Sequence, residues 1–233
     1  SMMAIAPFLD MEFEALDDWN CCGATEYASI NGLGSHALVA RNLAIAEDQL
    51  EGKDLVAGCS ACFINLTKTE HYLREAPDLN EKVSIALEAG GFSYNPGSVH
   101  SRHLLEVLAS DIGYEKIYEK VSRPLFGLKV APYYGCLIVR PGYLGAFDNP
   151  EYPISMDKLI KTCGAEVTDF RMKTACCGGH MTQIKESTSL EMIRRILQNA
   201  EDSGADVIIT TCPMCQLNLD AYQAAVNNEF GTE

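Results

Sequence analysis

The chain of 233 residues has no run of about 18 apolar residues, so no segment reads as a membrane-spanning helix. Its opening Ser1-Met2-Met3-Ala4 lacks a basic stretch followed by an apolar one and a cleavage site, and the protein is expected to be soluble and cytoplasmic. Positive charge is scarce. The 18 Lys and Arg against 32 Asp and Glu leave a net charge of −14, which opposes contact with phosphate backbones and argues against nucleic acid as a partner. Neither a G-x-G-x-x-G nor a Walker sequence occurs, so no flavin or nucleotide site is indicated and electrons for any redox step come from another protein. Hydrophobic residues make up 47% and charged residues 21%, a balance that supports a packed core and excludes a disordered chain.

Cysteine, in contrast, is plentiful: ten residues, too few for a small disulfide-stapled domain and too many for packing alone. In a reducing compartment, clustered thiols point to metal ligation or redox work. They stand at 21, 22, 59, 62, 136, 163, 176, 177, 212 and 215, and two groups repeat. Cys21-Cys22-Gly23 is followed by Cys59-Ser60-Ala61-Cys62, and Cys176-Cys177-Gly178 by Cys212-Pro213-Met214-Cys215. The offsets are 177 − 22 = 155 and 212 − 59 = 153, a period that indicates a duplicated domain rather than a solenoid.

The surroundings repeat too. Short apolar runs at 54–58 and 206–211 lead into the C-x-x-C pairs and suit buried parallel strands; helical patterns follow at 63–74 and from 217, and precede at 35–50 and 190–200. Further strands are expected at 128–134, running into Cys136, and at 166–170. This alternation predicts an α/β fold with parallel sheets, in which ligands gather at the carboxyl ends of strands. The expected organisation is a first half at 1–91, a linker with a connecting helix at 92–125, and a second half at 126–233.

Adjacent cysteines suit one polynuclear centre better than a strained vicinal disulfide. A C-x-x-C at a strand-to-helix turn adds two thiols, whose pKa the helix N-terminus is expected to lower. Gly23 and Gly178 are expected to let backbone approach the centre. With Cys136 the second half holds five thiols, one more than a cubane or a closed zinc site takes, which leaves open an irregular cluster or a free redox thiol.

Cys136, Cys176-Cys177-Gly178 and Cys212-Pro213-Met214-Cys215 resemble the CCG motif of the heterodisulfide reductase B-subunit family, and Cys21-Cys22-Gly23 with Cys59-Ser60-Ala61-Cys62 resembles its first copy. The resemblance implies two pseudo-symmetric Rossmann-like halves from an internal duplication, each holding a non-cubane [4Fe-4S] cluster. It also implies a disulfide cleaved reductively between the clusters, with electrons from a ferredoxin-like iron–sulfur subunit and a flavoprotein subunit. The implied ligands are Cys136, Cys176, Cys177, Cys212 and Cys215, and Cys21, Cys22, Cys59 and Cys62. The first copy lacks its leading cysteine, which the offset places upstream of Ser1. About twenty preceding residues are therefore expected, and zinc or a simpler cluster is an alternative at that site. An electron-relay or sulfur-handling subunit and a zinc-stabilised scaffold are the competing functions.

Other residues carry less. Cys163, without a counterpart in the repeat, reads as a structural thiol. His180 is a weak candidate proton donor, with a plain polar lining the favoured role. His100 and His103 are expected at a helix start in solvent or capping roles, and Trp19 in the core. Lys173, Arg171 and Lys185 are expected on a solvated surface.

Overall fold

In a computed structural model of the protein, residues 2–25, 27–50, 52–144 and 147–232 are described. The chain divides into two compact units: Met11–Leu104 with the residues before Pro7, and the chain from Leu105 onward with Pro7–Asp10. Residues 92–104 thus pack with the first unit and residues 105–125 with the second.

The first unit begins with short helical turns α1 (Met2–Ile5) and α2 (Tyr27–Ile30), followed by the long α3 (Gly32–Leu50). Strand β1 (Leu55–Ala57) leads into α4 (Ser60–Glu75), then α5 (Pro77–Ala89), and strand β2 (Ser101–His103) pairs in parallel with β1. Val39, Leu43, Ala46 and Leu50 recur at helical spacing on α3 and pack with Ala57, Phe63, Leu66 and Val99. A second cluster joins Ala40, Leu73, Val83 and Leu87, which fixes α5 against α3 and α4. Pro77 opens α5 where its missing amide hydrogen costs nothing.

The second unit runs α6 (Leu104–Val107), a π-helical turn at Leu108–Ile112, α7 (Tyr114–Lys120), β3 (Lys129–Tyr133), α8 (Ser155–Thr162) and β4 (Glu166–Val167). It continues through α9 (Met181–Ile184), α10 (Glu186–Asp202), β5 (Val207–Thr210), α11 (Pro213–Ala221) and α12 (Gln223–Phe230). Its three strands are parallel in the order β4-β3-β5, so β3 is central. Burial of Val130, Ala131 and Tyr133 follows from that position, since a central parallel strand is covered on both faces. Leu190, Ile193, Ile196 and Ala200 form the buried stripe of α10. The protein is therefore an α/β chain with parallel sheets.

Several expectations are corrected. The expected helix does start here, as α6 from Leu104, but residues 101–103 before it form a strand; His103 is buried and stacks edge-on against Phe63 rather than facing solvent, while His100 stays exposed with Nδ1 3.0 Å from Asp54. Trp19 is 67% exposed rather than in the core. Lys173 is buried, paired with Asp157 at 2.7 Å, because a partner carboxylate replaces the water its ammonium gives up. Arg171 and Lys185 are exposed, as their polarity suggests.

Candidate functional site

Each C-x-x-C sits where a strand turns into a helix. Cys59 is the N-cap of α4 with φ −138°, ψ 124°, and Cys212 is the N-cap of α11 with φ −134°, ψ 120°. The first helical hydrogen bonds also match: Phe63 donates to the Cys59 carbonyl at 2.9 Å and Gln216 to the Cys212 carbonyl at 3.0 Å. The N-cap cysteine stands at the helix entry and the second cysteine lies inside the first turn, so the two thiols share one helix end.

In the second unit the Cys-Cys-Gly loop meets that end. The Cys177 and Cys215 sulfurs lie 3.5 Å apart and share a hydrogen bond. Cys215 also hydrogen-bonds Cys212, and Cys136 hydrogen-bonds Cys176. Cys177, Cys212 and Cys215 are buried, Cys136 is half-buried and Cys176 exposed, so the group has a closed side and an open one.

The approach to Cys136 is braced on both sides. The backbone amides of Tyr134 and Gly135 donate to the Lys173 carbonyl at 2.8 and 3.0 Å. The Tyr133 hydroxyl donates to the Ala175 carbonyl at 2.7 Å. The thiols of Cys215, Cys177, Cys136 and Cys176 lie near enough to that phenol to add to the rise in its pKa that burial produces.

The first unit repeats much of this. Cys22 and Cys62 lie 3.1 Å apart, and Cys62 also hydrogen-bonds Cys59. Cys22 is buried, Cys59 and Cys62 half-buried, and Cys21 exposed. The loop before Cys21 is clamped by Asn42, which accepts from the Asn20 amide at 2.9 Å and donates to the Asn20 carbonyl at 2.7 Å.

Acidity is uneven among the hydrogen-bonded thiols. The hydrogen bond with Cys62 brings Cys22 down to about 6, and that with Cys136 brings Cys176 to about 6. The hydrogen bond with Cys215 brings Cys177 to about 7. Cys62, Cys215 and Cys136 are pushed up because they hold the shared protons. In each C-x-x-C the second cysteine therefore keeps its proton, against the lowering expected at a helix N-terminus.

Gly178 also has a different reason from the one expected. Its φ is +92°, and a Cβ there would stand 2.5 Å from Ser189 Oγ on α10, so the close approach is to a helix and not to the thiols. Gly23 has φ +64° and needs glycine for its left-handed backbone. His180 is partly exposed at the start of the short α9, and Cys163 is half-buried at the end of α8, with its thiol pKa raised by burial.

Two residues escaped the sequence reading. Asn65 donates to the Cys22 carbonyl at 3.0 Å, and Asn218 donates to the Cys177 carbonyl at 3.1 Å. Each stands three residues after the second cysteine of its C-x-x-C, and 218 − 65 = 153 is the same offset as the cysteines, which is the signal that would have found them.

Among the described residues, no group of three or more His, Cys, Asp or Glu is arranged to hold a metal ion. The donors that do converge are all thiols, the soft ligands that iron–sulfur centres and zinc take. In the second unit Cys177, Cys215 and Cys212 are joined by thiol hydrogen bonds and Cys136 is joined to Cys176, so the chemistry of the donor set suits a sulfur-ligated group.

The fold and the two thiol groups define a cysteine-rich α/β protein. The CCG family profile, described as a cysteine-rich domain, matches residues 1–67 and 130–220, and the chain belongs to that family. It is 36% identical over 224 residues to the 8-methylmenaquinol:fumarate reductase membrane anchor subunit of Wolinella succinogenes, covering 96% of this chain and 76% of that one. It is 32% identical over 228 residues to the B subunit of the ferredoxin/F(420)H(2)-dependent CoB-CoM heterodisulfide reductase of Methanosarcina acetivorans, covering 96% and 75%. A protein of Archaeoglobus profundus that is named as like the heterodisulfide reductase B subunit is 31% identical over 234 residues, covering 98% and 77%. A crystal structure of a hypothetical protein from Helicobacter pylori superposes with a TM-score of 0.65 at 13% identity, covering 89% of this chain and 36% of that one, which speaks to the fold alone. No helix among the described residues is long and apolar enough to cross a membrane.

Proposed function

We propose that the chain is an iron–sulfur subunit of a heterodisulfide-reductase-like complex that reductively cleaves a disulfide. The observation that carries this is the recurrence, in both units, of a buried cysteine of the Cys-Cys-Gly loop hydrogen-bonded to the second cysteine of a C-x-x-C, at 3.1 and 3.5 Å. Cys136, Cys176, Cys177, Cys212 and Cys215 would hold one non-cubane [4Fe-4S] centre, and Cys21, Cys22, Cys59 and Cys62 the other, with zinc the alternative there. Such centres pass electrons singly, and two of them supply the pair that a disulfide needs.

The chain's own residues shape the chemistry. Cys22 and Cys177 grip from the buried side, while exposed Cys21 and Cys176 mark the side from which substrate arrives. Tyr133, fully buried, keeps water from the inner side of the second group. In the reaction one S–S bond breaks and each sulfur gains one electron and one proton, giving two thiols. The electrons come from a ferredoxin-like and a flavoprotein partner. His180, three residues beyond Cys177 and partly exposed, is the weak candidate for carrying a proton, with a plain polar lining its other role.

A second reading has its own support. The relative at 36% identity is a subunit of a quinol:fumarate reductase, which favours an electron relay to a different acceptor. Anaerobic purification with iron, sulfide and zinc analysis tests the common part, with about four iron and four sulfide expected per centre. Iron-free, zinc-replete protein would overturn it in favour of a scaffold. Reduced viologen as donor then separates the other two: disulfide cleavage with partner subunits present supports the reductase, and its absence under those conditions supports the relay.

A further inference from the structure

Asn65 and Asn218 stand one helical turn beyond the second cysteine of their C-x-x-C, on the same helix face as that cysteine. Asn218 is fully buried; its side-chain amide donates to the carbonyls of Cys177 and Gly179 at 3.1 and 2.9 Å and to the Cys177 sulfur at 3.4 Å. Asn65 donates to the Cys22 carbonyl at 3.0 Å, near enough to the Cys22 thiol to help lower its pKa. The Asn218 Oδ1 is buried with no hydrogen-bond partner. A leucine fills the same volume without stranding an acceptor, so packing alone gives no reason for an asparagine here.

We infer that Asn65 and Asn218 are positioning residues for the two centres, each tying its Cys-Cys-Gly loop to the C-x-x-C helix and directing an N–H at the sulfur of the buried cysteine. This rests on the iron–sulfur reading above. A donor aimed at a ligating sulfur stabilises the reduced, more negative state, so each asparagine raises the reduction potential of its own centre. The tether itself needs no metal, because it runs through carbonyl groups of the loop.

The test is an EPR-monitored redox titration of the anaerobically purified full chain, comparing wild type with Asn218→Leu and Asn65→Leu. Asn218→Leu is expected to shift the second centre to a more negative potential and leave the first unchanged, Asn65→Leu to do the converse, and both to keep the wild-type iron content. Potentials equal to wild type, or a shift of both centres in either variant, overturn the inference. Hydrogen exchange on the metal-free chain is the second readout: faster exchange is expected at residues 177–180 in Asn218→Leu and at residues 22–25 in Asn65→Leu. If the wild type takes up no iron, the iron–sulfur reading fails by itself and exchange still decides the tether, which unchanged rates overturn. Should a leucine variant not fold, Asn218→Met removes the donor with a more adaptable side chain and adds no charge; the same shift is expected, and an unmoved potential counts against the inference.

Discussion

The ammonium of Lys173 lies 2.7 Å from a carboxylate oxygen of Asp157, with 4% and 15% of the two side chains exposed. The other carboxylate oxygen accepts from the Tyr134 hydroxyl at 2.5 Å, and the Lys173 carbonyl accepts from the amides of Tyr134 and Gly135. The pair therefore pins the segment entering Cys136 to the segment entering Cys176. Lys173→Ala strands a buried carboxylate and is expected to cost about 3–5 kcal/mol in denaturant unfolding. Combining Lys173→Met with Asp157→Leu removes both charges and should cost less than the single change. A double variant less stable than Lys173→Ala would show that packing, not the stranded charge, dominates.

Gly178 meets two constraints at once, a φ of +92° and the 2.5 Å approach of Ser189 Oγ to any Cβ placed there. Backbone strain of this kind costs about 1–3 kcal/mol, and the contact adds to it. Gly178→Ala is expected to lower stability by more than the strain alone, and Ser189→Gly in the same chain should restore only the part due to contact. Full restoration, measured by thermal unfolding, would show that the left-handed backbone is not strained.

Much of the fold was legible because its signals are local. The strand runs before each C-x-x-C and the stripe Leu190, Ile193, Ile196 on α10 depend on residue order alone. The cysteine groups were legible through their repeat. What escaped depends on distant partners. Lys173 reads as surface until Asp157, sixteen residues away, is brought beside it, and His103 reads as a solvent or capping residue ahead of α6 until β1 supplies a strand to pair with. Trp19 shows the converse, since an apolar side chain alone does not say whether the fold covers it.

Cys163 and Cys177 give a control and a test within one chain. Cys177 is buried against Cys215, whereas Cys163 caps the end of α8, where its backbone bonds to Leu159 and Leu125. Cys177→Ser is expected to remove most of the iron of the second centre, about four per chain. Cys163→Ser should leave iron content at the wild-type value and cost about 1 kcal/mol of stability at most. Iron analysis after anaerobic purification decides both, and equal losses in the two variants would sink the ligand assignment.

Glu70 on α4 supplies a pH signature that does not involve the cysteines. Burial raises its pKa, the Gly97 amide and Arg74 act the other way, and Glu47 adds to the rise. The Tyr94 hydroxyl donates to it, which closes the 94–97 turn onto the helix. A raised carboxyl binds its proton more tightly in the folded chain than in the unfolded one. Its contribution is therefore fully present below the unfolded value of about 4.3 and is lost as pH rises through the folded value. Glu70→Gln keeps an acceptor for Tyr94 and removes the titration. The thermal midpoint of the variant relative to wild type should accordingly climb as pH is raised from about 4 through the folded value and level off above it. Other carboxylates cancel in that difference because both chains carry them, so a gap independent of pH would place the Glu70 charge in water rather than against the turn.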